Sequence, residues 1–352
     1  MARSINKGPK PAGGFAKVSS KALKEAKEKS ARRQAPRPEP RGLGKAAQAP
    51  RRESVYADAA NSVQAALLRA QKHGIAKVDA RMLLLHALGR DTLDAAWLIA
   101  HEHDALSDLQ ASAYADACAR RRAGEPVAYI VGHKAFYGLR LQTDARVLDP
   151  RDDTETLVDW ALTLEGRQVL DLGTGSGAIA LAIQSKRPDC RVVAVDASAD
   201  ALAVAAANAQ RLGLQVEFRH GDWFAPFDAP QDGQAPAPIR FDLIVSNPPY
   251  IAGNDPHLAA LRHEPMSALV SGEDGLVDIR RIVAGAPAHL ADGGWLLLEH
   301  GHDQAEPVRA LLVEAGFAEV QSRRDLSGIE RCSGGRWHGA RAGVEAATAA
   351  PK

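Results

Sequence analysis

Long apolar segments are missing from this sequence. Hydrophobic residues make up 45% of its 352 positions, yet no run approaches the roughly 20 consecutive apolar residues that a membrane-spanning helix needs. The first residues carry Lys and Arg but lack the apolar core and small-residue cleavage site of a secretory signal. We therefore expect a protein that has no membrane segment and stays in the cytoplasm.

Cysteine is also scarce. The three cysteines, Cys118, Cys190 and Cys332, lie far apart and form neither a CxxC pair nor a ligand cluster with nearby histidines. We expect them to be reduced and structural, and we expect no metal site.

Acidic residues are nearly absent from the N-terminal segment. Residues 1–52 hold about 15 Lys and Arg against about three acids, so the overall charge of +1 hides a basic tail and an acidic body. Because this segment has almost no large apolar side chains, it cannot offset its chain entropy by burial. We predict a disordered basic tail at 1–53 and a disordered C-terminal tail at 341–352. Weak contact of the basic tail with RNA or the ribosome through phosphates is one interpretation, and a solvated tail is the favoured one.

Two folded parts follow the basic tail. From Ser54 onward apolar residues recur at near four-residue spacing, which predicts a small helical domain over 54–123. A connector at 124–149 contains a predicted β-hairpin near Phe136 and Leu141. Strands and helices then alternate over 150–340, which predicts an α/β domain with a mostly parallel, doubly wound sheet. The predicted strands are 168–172, 191–195, 215–219, 241–245 and 294–299.

A glycine turn follows the first of these strands. It has the pattern Gly-x-Gly-x-Gly and lacks the Lys-Ser or Lys-Thr of a phosphate-binding P-loop. An acid directly before it would repel a pyrophosphate but attract a sulfonium or an ammonium group. The turn therefore favours S-adenosylmethionine as the cofactor. The candidate ligands in this segment are Asp171, Gly173, Thr174, Gly175, Ser176 and Gly177.

The next two strands end in further candidate ligands for the cofactor. Asp196 ends the second strand, about 20 residues after the turn, where an acid typically accepts hydrogen bonds from ribose hydroxyls. Asp222 and Trp223 follow the third strand and offer an acceptor for an adenine amino group and a ring for stacking.

The Asn-Pro-Pro-Tyr loop at 247–250 is the strongest single signal. Two prolines stiffen the chain at the end of a strand, where ligands bind in open sheets. The Asn247 side-chain oxygen and the Pro248 carbonyl can accept both N–H bonds of a planar nitrogen and hold it towards a methyl donor. Pro249 completes the substrate-binding loop, and Tyr250 offers a flat wall. No general base is required, because the methyl group is already activated.

Together these segments closely resemble the HemK/PrmC family of protein-(glutamine-N5) methyltransferases, over roughly residues 54–338. The segments that carry the resemblance are 125–132, 150–156, 171–177, 221–223, 247–251, 264–269, 298–301 and 325–331. The resemblance implies a Rossmann-like class I methyltransferase sheet that binds S-adenosylmethionine through 173–177, Asp196, Trp223 and Asn247. It also implies that 247–250 holds the glutamine of the Gly-Gly-Gln motif in peptide chain release factors, and that the helical domain helps dock the factor.

Two positions depart from the family's pattern. Asp149 stands where an apolar residue is usual, and Asp152 stands where a second proline is usual, so the loop that borders the site is expected to differ. A glutamine methyltransferase of a large-subunit ribosomal protein is the nearest alternative. An adenine-N6 nucleic-acid methyltransferase is the next, because adenine presents the same two N–H donors, and a non-catalytic binding module is a remote third. We expect a monomer.

Overall fold

A computed structural model of the chain describes residues 61–228 and 239–339. Its first part consists of five helices, α1 (Val63–Lys72), α2 (Lys77–Ala87), α3 (Ala95–Ala100), α4 (Asp108–Arg122) and α5 (Val127–Val131). Serine caps start two of them: the Ser62 side chain accepts from the Ala65 backbone, and Ser107 forms a capping box with Gln110. The predicted start of the first helix at Ser54 lies outside the described residues, as do both predicted tails.

A short hairpin joins the helices to the sheet. Strand β1 (His133–Phe136) pairs antiparallel with β2 (Leu139–Gln142). The two turn residues, Tyr137 and Gly138, both have positive φ, at 49° and 77°, which is typical of the tight turn that matches strand twist. The exact domain boundaries stay predictions.

The second part is a seven-stranded sheet. Its strands are β3 (Gln168–Leu172), β4 (Arg191–Asp196), β5 (Val216–His220), β6 (Phe241–Ser246), β7 (Leu290–Glu299), β8 (Ala318–Arg324) and β9 (Glu330–Arg336). The spatial order is β5-β4-β3-β6-β7-β9-β8, with parallel pairing from β5 to β7 and antiparallel pairing at β9 and β8. The order reverses between β3 and β6, which makes the carboxyl ends of these strands the expected place for a ligand. The predicted α/β fold class is confirmed.

Helices cover both faces of this sheet. They are α6 (Glu155–Thr163), α7 (Ala178–Lys186), α8 (Ala199–Leu212), α9 (Ala225–Asp228), α10 (Val277–His289) and α11 (Ala305–Glu314). Alternate residues of the strands enter two separate cores: Val169 joins the core beneath α7, whereas Leu170 joins the core beneath α10. Burial on both faces explains why the inner parallel strands β3, β4 and β6 are largely apolar, whereas the half-buried edge strand β5 carries charged residues.

The sequence prediction missed the antiparallel pair β8 and β9. Strand β8 is largely exposed and rich in charged residues, so it lacks the apolar pattern of a buried strand. Strand β9 contains Gly334 and Gly335, which are unfavourable in strands. A Cβ at Gly334 would lie 2.5 Å from the Leu297 side chain, so glycine is required there by close packing rather than by a turn.

Candidate active site

A cleft of about 380 Å³ opens at the carboxyl ends of the central strands. This volume lies within the usual range for a small-molecule site, roughly 300–1,000 Å³. The predicted residues that line it are Gly173, Thr174, Gly175, Ser176, Asp196, Asp222, Trp223, Asn247 and Pro249. Residues from distant parts of the chain therefore meet in one cavity, although contact of each with a ligand stays a prediction.

The glycine turn is held by its own backbone. Gly173, Gly175 and Gly177 all have positive φ, at 70°, 55° and 85°. The N–H groups of Gly173 and Thr174 both donate to the Val195 carbonyl at 2.9 Å, which ties the turn to strand β4. A Cβ at Gly175 would meet no protein atom within 4 Å, so the space in front of this residue is open to a ligand.

Asp171 supports the turn from beneath and does not line the cleft. It is fully buried, and its Oδ2 accepts from the Thr174 hydroxyl at 2.7 Å and from the Ala180 backbone at 3.2 Å. Its Oδ1 has no hydrogen-bond partner among the described residues. Burial raises the pKa of Asp171 to about 7, while its hydrogen bonds with Thr174 and Ala180 lower it. Direct contact of this side chain with the cofactor stays a prediction.

Asp196 reaches the cleft from the end of β4. Its two oxygens accept from the backbone N–H groups of Gly175 and Ser198, each at 2.8 Å. Burial raises the pKa of this carboxyl, whereas the two backbone hydrogen bonds lower it. Each oxygen retains a lone pair, so the carboxylate can still accept hydrogen bonds from two hydroxyl groups of a ligand.

Asp222 and Trp223 line the same cleft from the end of β5. The exposed Asp222 carboxylate is paired with Arg281 of α10. Trp223 has a positive φ of 47° and lies so close to Gly173 that a Cβ there would be 3.3 Å from the ring. Its indole Nε1 is buried without a hydrogen-bond partner among the described residues, which is costly unless a ligand supplies an acceptor.

The Asn-Pro-Pro-Tyr loop is anchored at both ends. Before it, the Ser246 hydroxyl donates to the Leu172 carbonyl at 2.7 Å. After it, the Tyr250 carbonyl accepts from Gln304 Nε2 at 3.0 Å, and a Cβ at Gly275 would lie 2.3 Å from that same carbonyl. The loop cannot shift without disturbing these contacts.

Side chains of this loop face different partners. Asn247 lines the cleft, and its Nδ2 donates to the Thr154 hydroxyl at 3.2 Å. Pro248 is buried, and Tyr250 packs on the core beneath α10 with its hydroxyl 3.4 Å from Glu299 Oε1. Neither Pro248 nor the Tyr250 ring lines the described cleft, so their roles in holding a substrate stay predictions.

Sequence reasoning assigned no role to several residues of the site. Thr154 and Glu299, which contact the loop, are 4% and 1% exposed. Asn208 of α8 donates to the carbonyls of Gln142 and Ser176, both at 3.0 Å, and accepts from the Gln142 backbone at 2.7 Å, so it joins the hairpin to the glycine turn. The segments at 150–156 and 298–301, which carry the family resemblance, contained Thr154 and Glu299 without indicating their role, and no local pattern pointed to Asn208.

The two unusual acids at the border of the cleft have different surroundings. Asp149 is largely buried, lies 3.7 Å from Arg151, and donates its backbone N–H to Glu264 at 3.1 Å; Arg151 also pairs with Glu264. Burial raises the pKa of the Asp149 carboxyl. Asp152 is exposed and pairs with Lys134 of the hairpin at 2.9 Å. Both acids thus form ion pairs at this border, and the expected difference of the loop from the family's pattern stays a prediction.

Comparison with known proteins gives the family. Residues 149–322 match the methyltransferase small domain, and residues 62–132 match the PrmC N-terminal domain. A relative from Bordetella pertussis named release factor glutamine methyltransferase is 51% identical over 268 residues, which cover 74% of this chain and 95% of the relative. The chain belongs to the release factor glutamine methyltransferase family. A member from Xylella fastidiosa is 48% identical over 281 residues, or 78% of this chain and 98% of the relative.

The family also has a solved representative among the similar structures. The protein-(glutamine-N5) methyltransferase (release factor-specific) from Alicyclobacillus acidocaldarius is 31% identical, with a TM-score of 0.32 and coverage of 54% of this chain and 94% of that one. The relatives at 51% and 48% identity confirm, at the level of the family, the resemblance inferred from sequence motifs. No described helix of this member is long and apolar enough to cross a bilayer, and its described residues contain no cluster suited to a metal ion.

Proposed function

We propose that this protein transfers a methyl group from S-adenosylmethionine to the side-chain amide nitrogen, N5, of the glutamine in the Gly-Gly-Gln motif of peptide chain release factors. Family membership supports this reaction. One structural observation carries it furthest: the Asn247 amide, bound through Nδ2 to Thr154, lines the same cleft as Asp196 and the glycine turn. Methyl donor and planar acceptor would meet there.

S-adenosylmethionine is the methyl donor, and its sulfonium supplies an already activated methyl group. The residues present fit this molecule. The cleft is open in front of Gly175, where any side chain would intrude, and Trp223 Nε1 in its wall is buried without a partner in the described chain. We assign the ribose hydroxyls to Asp196 and the adenosine side of the cleft to Asp222 and Trp223.

The acceptor is held by the loop at 247–250. An amide nitrogen is a weak nucleophile because its lone pair is delocalised into the carbonyl. Asn247 Oδ1 and the Pro248 carbonyl accept its two N–H bonds, orient it, and stabilise the positive charge that develops as the nitrogen becomes pyramidal. The product proton leaves to water, so no residue of the chain acts as an essential base. Pro249, in the wall of the cleft, limits the room for a nonplanar group.

The protein partner follows from this acceptor. A release factor would bring its Gly-Gly-Gln loop to the cleft, with the helical domain at 54–123 as a docking element. A cytoplasmic location and a monomeric enzyme are part of the proposal, and the location fits a substrate that works on the ribosome. Contact of residues 1–53 with RNA or the ribosome is a separate possibility, and those residues lie outside the described part of the chain.

The test is transfer from labelled S-adenosylmethionine to a purified release factor. The same factor with Gly-Gly-Ala in place of Gly-Gly-Gln, a large-subunit ribosomal protein preparation and duplex DNA serve as parallel acceptors, and mass spectrometry locates the label. We expect label on the wild-type factor alone, at the glutamine N5. Label on ribosomal protein or DNA instead would replace the proposed acceptor and leave the cofactor assignment intact.

A further inference from the structure

The amide of Asn247 has two ends with opposite hydrogen-bonding character. Only the Oδ1 end can accept an N–H bond from a glutamine amide, so the rotation of this side chain decides whether the site can work. In the structure Nδ2 donates to Thr154 Oγ1 at 3.2 Å, and no described residue uses Oδ1. Thr154 belongs to a short 3₁₀ turn (Asp152–Thr154) that lies 93 positions earlier in the chain and is only 4% exposed.

A hydroxyl group can donate as well as accept, so Thr154 alone does not fix the amide. Its single proton has another acceptor in the buried carboxylate of Glu299, at the end of β7, whose pKa is lowered by the Thr154 hydroxyl acting as a donor. An ionised carboxylate can only accept. Once the Thr154 proton points to Glu299, Thr154 Oγ1 can only accept a hydrogen bond from Asn247. The Asn247 amide must then turn its donor, Nδ2, towards Thr154.

Glu299 holds the other end of the same loop as well. It is 1% exposed, and its Oε1 accepts from the Tyr250 hydroxyl at 3.4 Å. The carboxylate of Glu299 therefore positions both ends of the loop at 247–250. It acts on Asn247 through Thr154 and on Tyr250 directly. Glu299 Oε2 is buried without a hydrogen-bond partner among the described residues, which leaves it free to accept the Thr154 proton.

We infer that Thr154 is a positioning residue for methyl transfer: together with Glu299 it fixes the Asn247 amide with Oδ1 towards the acceptor. This inference rests on the proposed function for its kinetic consequence, but the orientation itself does not depend on the identity of the substrate. Thr154 reaches the reacting atoms only through Asn247.

The protonation of Glu299 gives the arrangement a pH dependence. Burial, with a smaller contribution from Asp153, raises the pKa of this carboxyl to about 7 against the lowering effects of Thr154, Tyr250 and Arg331. The neighbouring Cys332 is held neutral, because burial raises the pKa of its thiol. Below about pH 7 the protonated Glu299 donates to Thr154, which frees the hydroxyl proton for Asn247 and allows the amide to turn.

The test compares Thr154→Val, which keeps the shape and removes the hydroxyl, with Thr154→Ser, which keeps the hydroxyl. For Thr154→Val we expect kcat on the release factor to fall roughly 10- to 100-fold, the loss typical of a misplaced reacting group, with little change in the Kd for S-adenosylmethionine. Thr154→Ser should keep kcat within about threefold of wild type. Wild-type kcat should fall as pH drops through about 7, and Glu299→Gln should remove that dependence.

A substrate-free readout keeps the orientation testable by itself. The Asn247 side-chain amide of the ¹⁵N-labelled protein, assigned by its loss in Asn247→Asp, should show one Nδ2 proton protected from exchange in wild type and in Thr154→Ser, and unprotected in Thr154→Val. The inference would be overturned if Thr154→Val had the same kcat as wild type, or if the Asn247 Nδ2 proton were equally protected in all three proteins. Absence of label on the release factor with wild-type enzyme would reject the proposed function instead, while the amide signal would still decide the orientation.

Discussion

Each half of the active site is held by a buried acid, but the two acids differ in how far along the sequence their partners lie. In the cofactor half, residues 171–177 with Asp196, the carboxylate of Asp171 binds groups three and nine positions away. In the acceptor half, residues 247–250 with Thr154 and Glu299, the carboxylate of Glu299 binds a tyrosine 49 positions away. Both carboxyls have pKa values raised to about 7 by burial. The cofactor half is thus locally determined, and the acceptor half is determined by the tertiary fold.

The largest expected effect separates catalysis from cofactor binding. Asn247→Ala removes the acceptor for the substrate amide, so we expect kcat to fall about 100- to 1,000-fold, as for loss of one preorganised hydrogen-bonding group at a reacting centre. The Kd for S-adenosylmethionine, measured by calorimetry, should change by less than about threefold. Asn254→Ala, at an exposed position soon after the loop, is the matched control. Equal losses in Kd and kcat would place Asn247 in the cofactor half.

The acceptor half should also be sensitive to changes remote in sequence. In Gly275→Ala the new Cβ would lie 2.3 Å from the Tyr250 carbonyl, at a residue whose φ is +74°. We expect the free energy of unfolding to fall by about 2–4 kcal/mol, from backbone strain and overpacking together. Gly213→Ala controls for strain alone, because its φ is +67° and its Cβ would meet nothing within 4 Å. Equal losses in urea unfolding for the two variants would show that the loop yields to the added methyl group.

A substitution in the cofactor half should change the affinity for S-adenosylmethionine more than it changes kcat. Asp196→Ala removes a partly buried carboxylate that we assign to the ribose, so we expect the Kd for S-adenosylmethionine to rise about 10- to 100-fold. At saturating cofactor kcat should remain within about fivefold of wild type. Asp200→Ala removes an exposed acid of the neighbouring helix and should change neither quantity. An unchanged Kd for Asp196→Ala would remove this residue from the site.

The most gradual effect is a slope of stability against pH. Asp171 binds its proton more tightly in the folded than in the unfolded chain, since burial raises its pKa from 3.8 to about 7. Its stabilising contribution is therefore complete below the unfolded value and is lost as pH rises through about 7. Relative to Asp171→Asn, wild type should lose roughly 1.4 kcal/mol per pH unit across this window. Urea unfolding at several pH values measures the difference, with Asp200→Asn as control; parallel curves for wild type and Asp171→Asn would contradict the raised pKa.

The same contrast explains what could be predicted from the sequence. The glycine turn and Asp196 are signalled by local patterns, because the strand, the positive φ values and the terminal acid are adjacent in the chain. Asn247 was predicted from its two prolines. Thr154 and Glu299 gave no comparable signal of contact with that loop, since only the packing of β7 beside β6 brings Glu299 near it.

Strands β8 and β9 were missed for a related reason. Their charged and glycine-rich sequences suit the surfaces on which these strands pack, but they do not show the apolar pattern by which a strand is predicted. Tertiary contacts therefore overrode local propensity at the antiparallel end of the sheet, where the prediction failed.

Asn208 has a mechanical consequence for the whole molecule. Its one amide side chain is bound to Gln142 at the end of the hairpin and to Ser176 in the wall of the cleft. The hairpin leads from the helices to the sheet, so a displacement of its second strand must either break these hydrogen bonds or carry the glycine turn along. Binding of a ligand in the cleft is then coupled to the stiffness of the hairpin. The free energy by which ligand binding stabilises the hairpin equals the free energy by which a stiffer hairpin strengthens ligand binding.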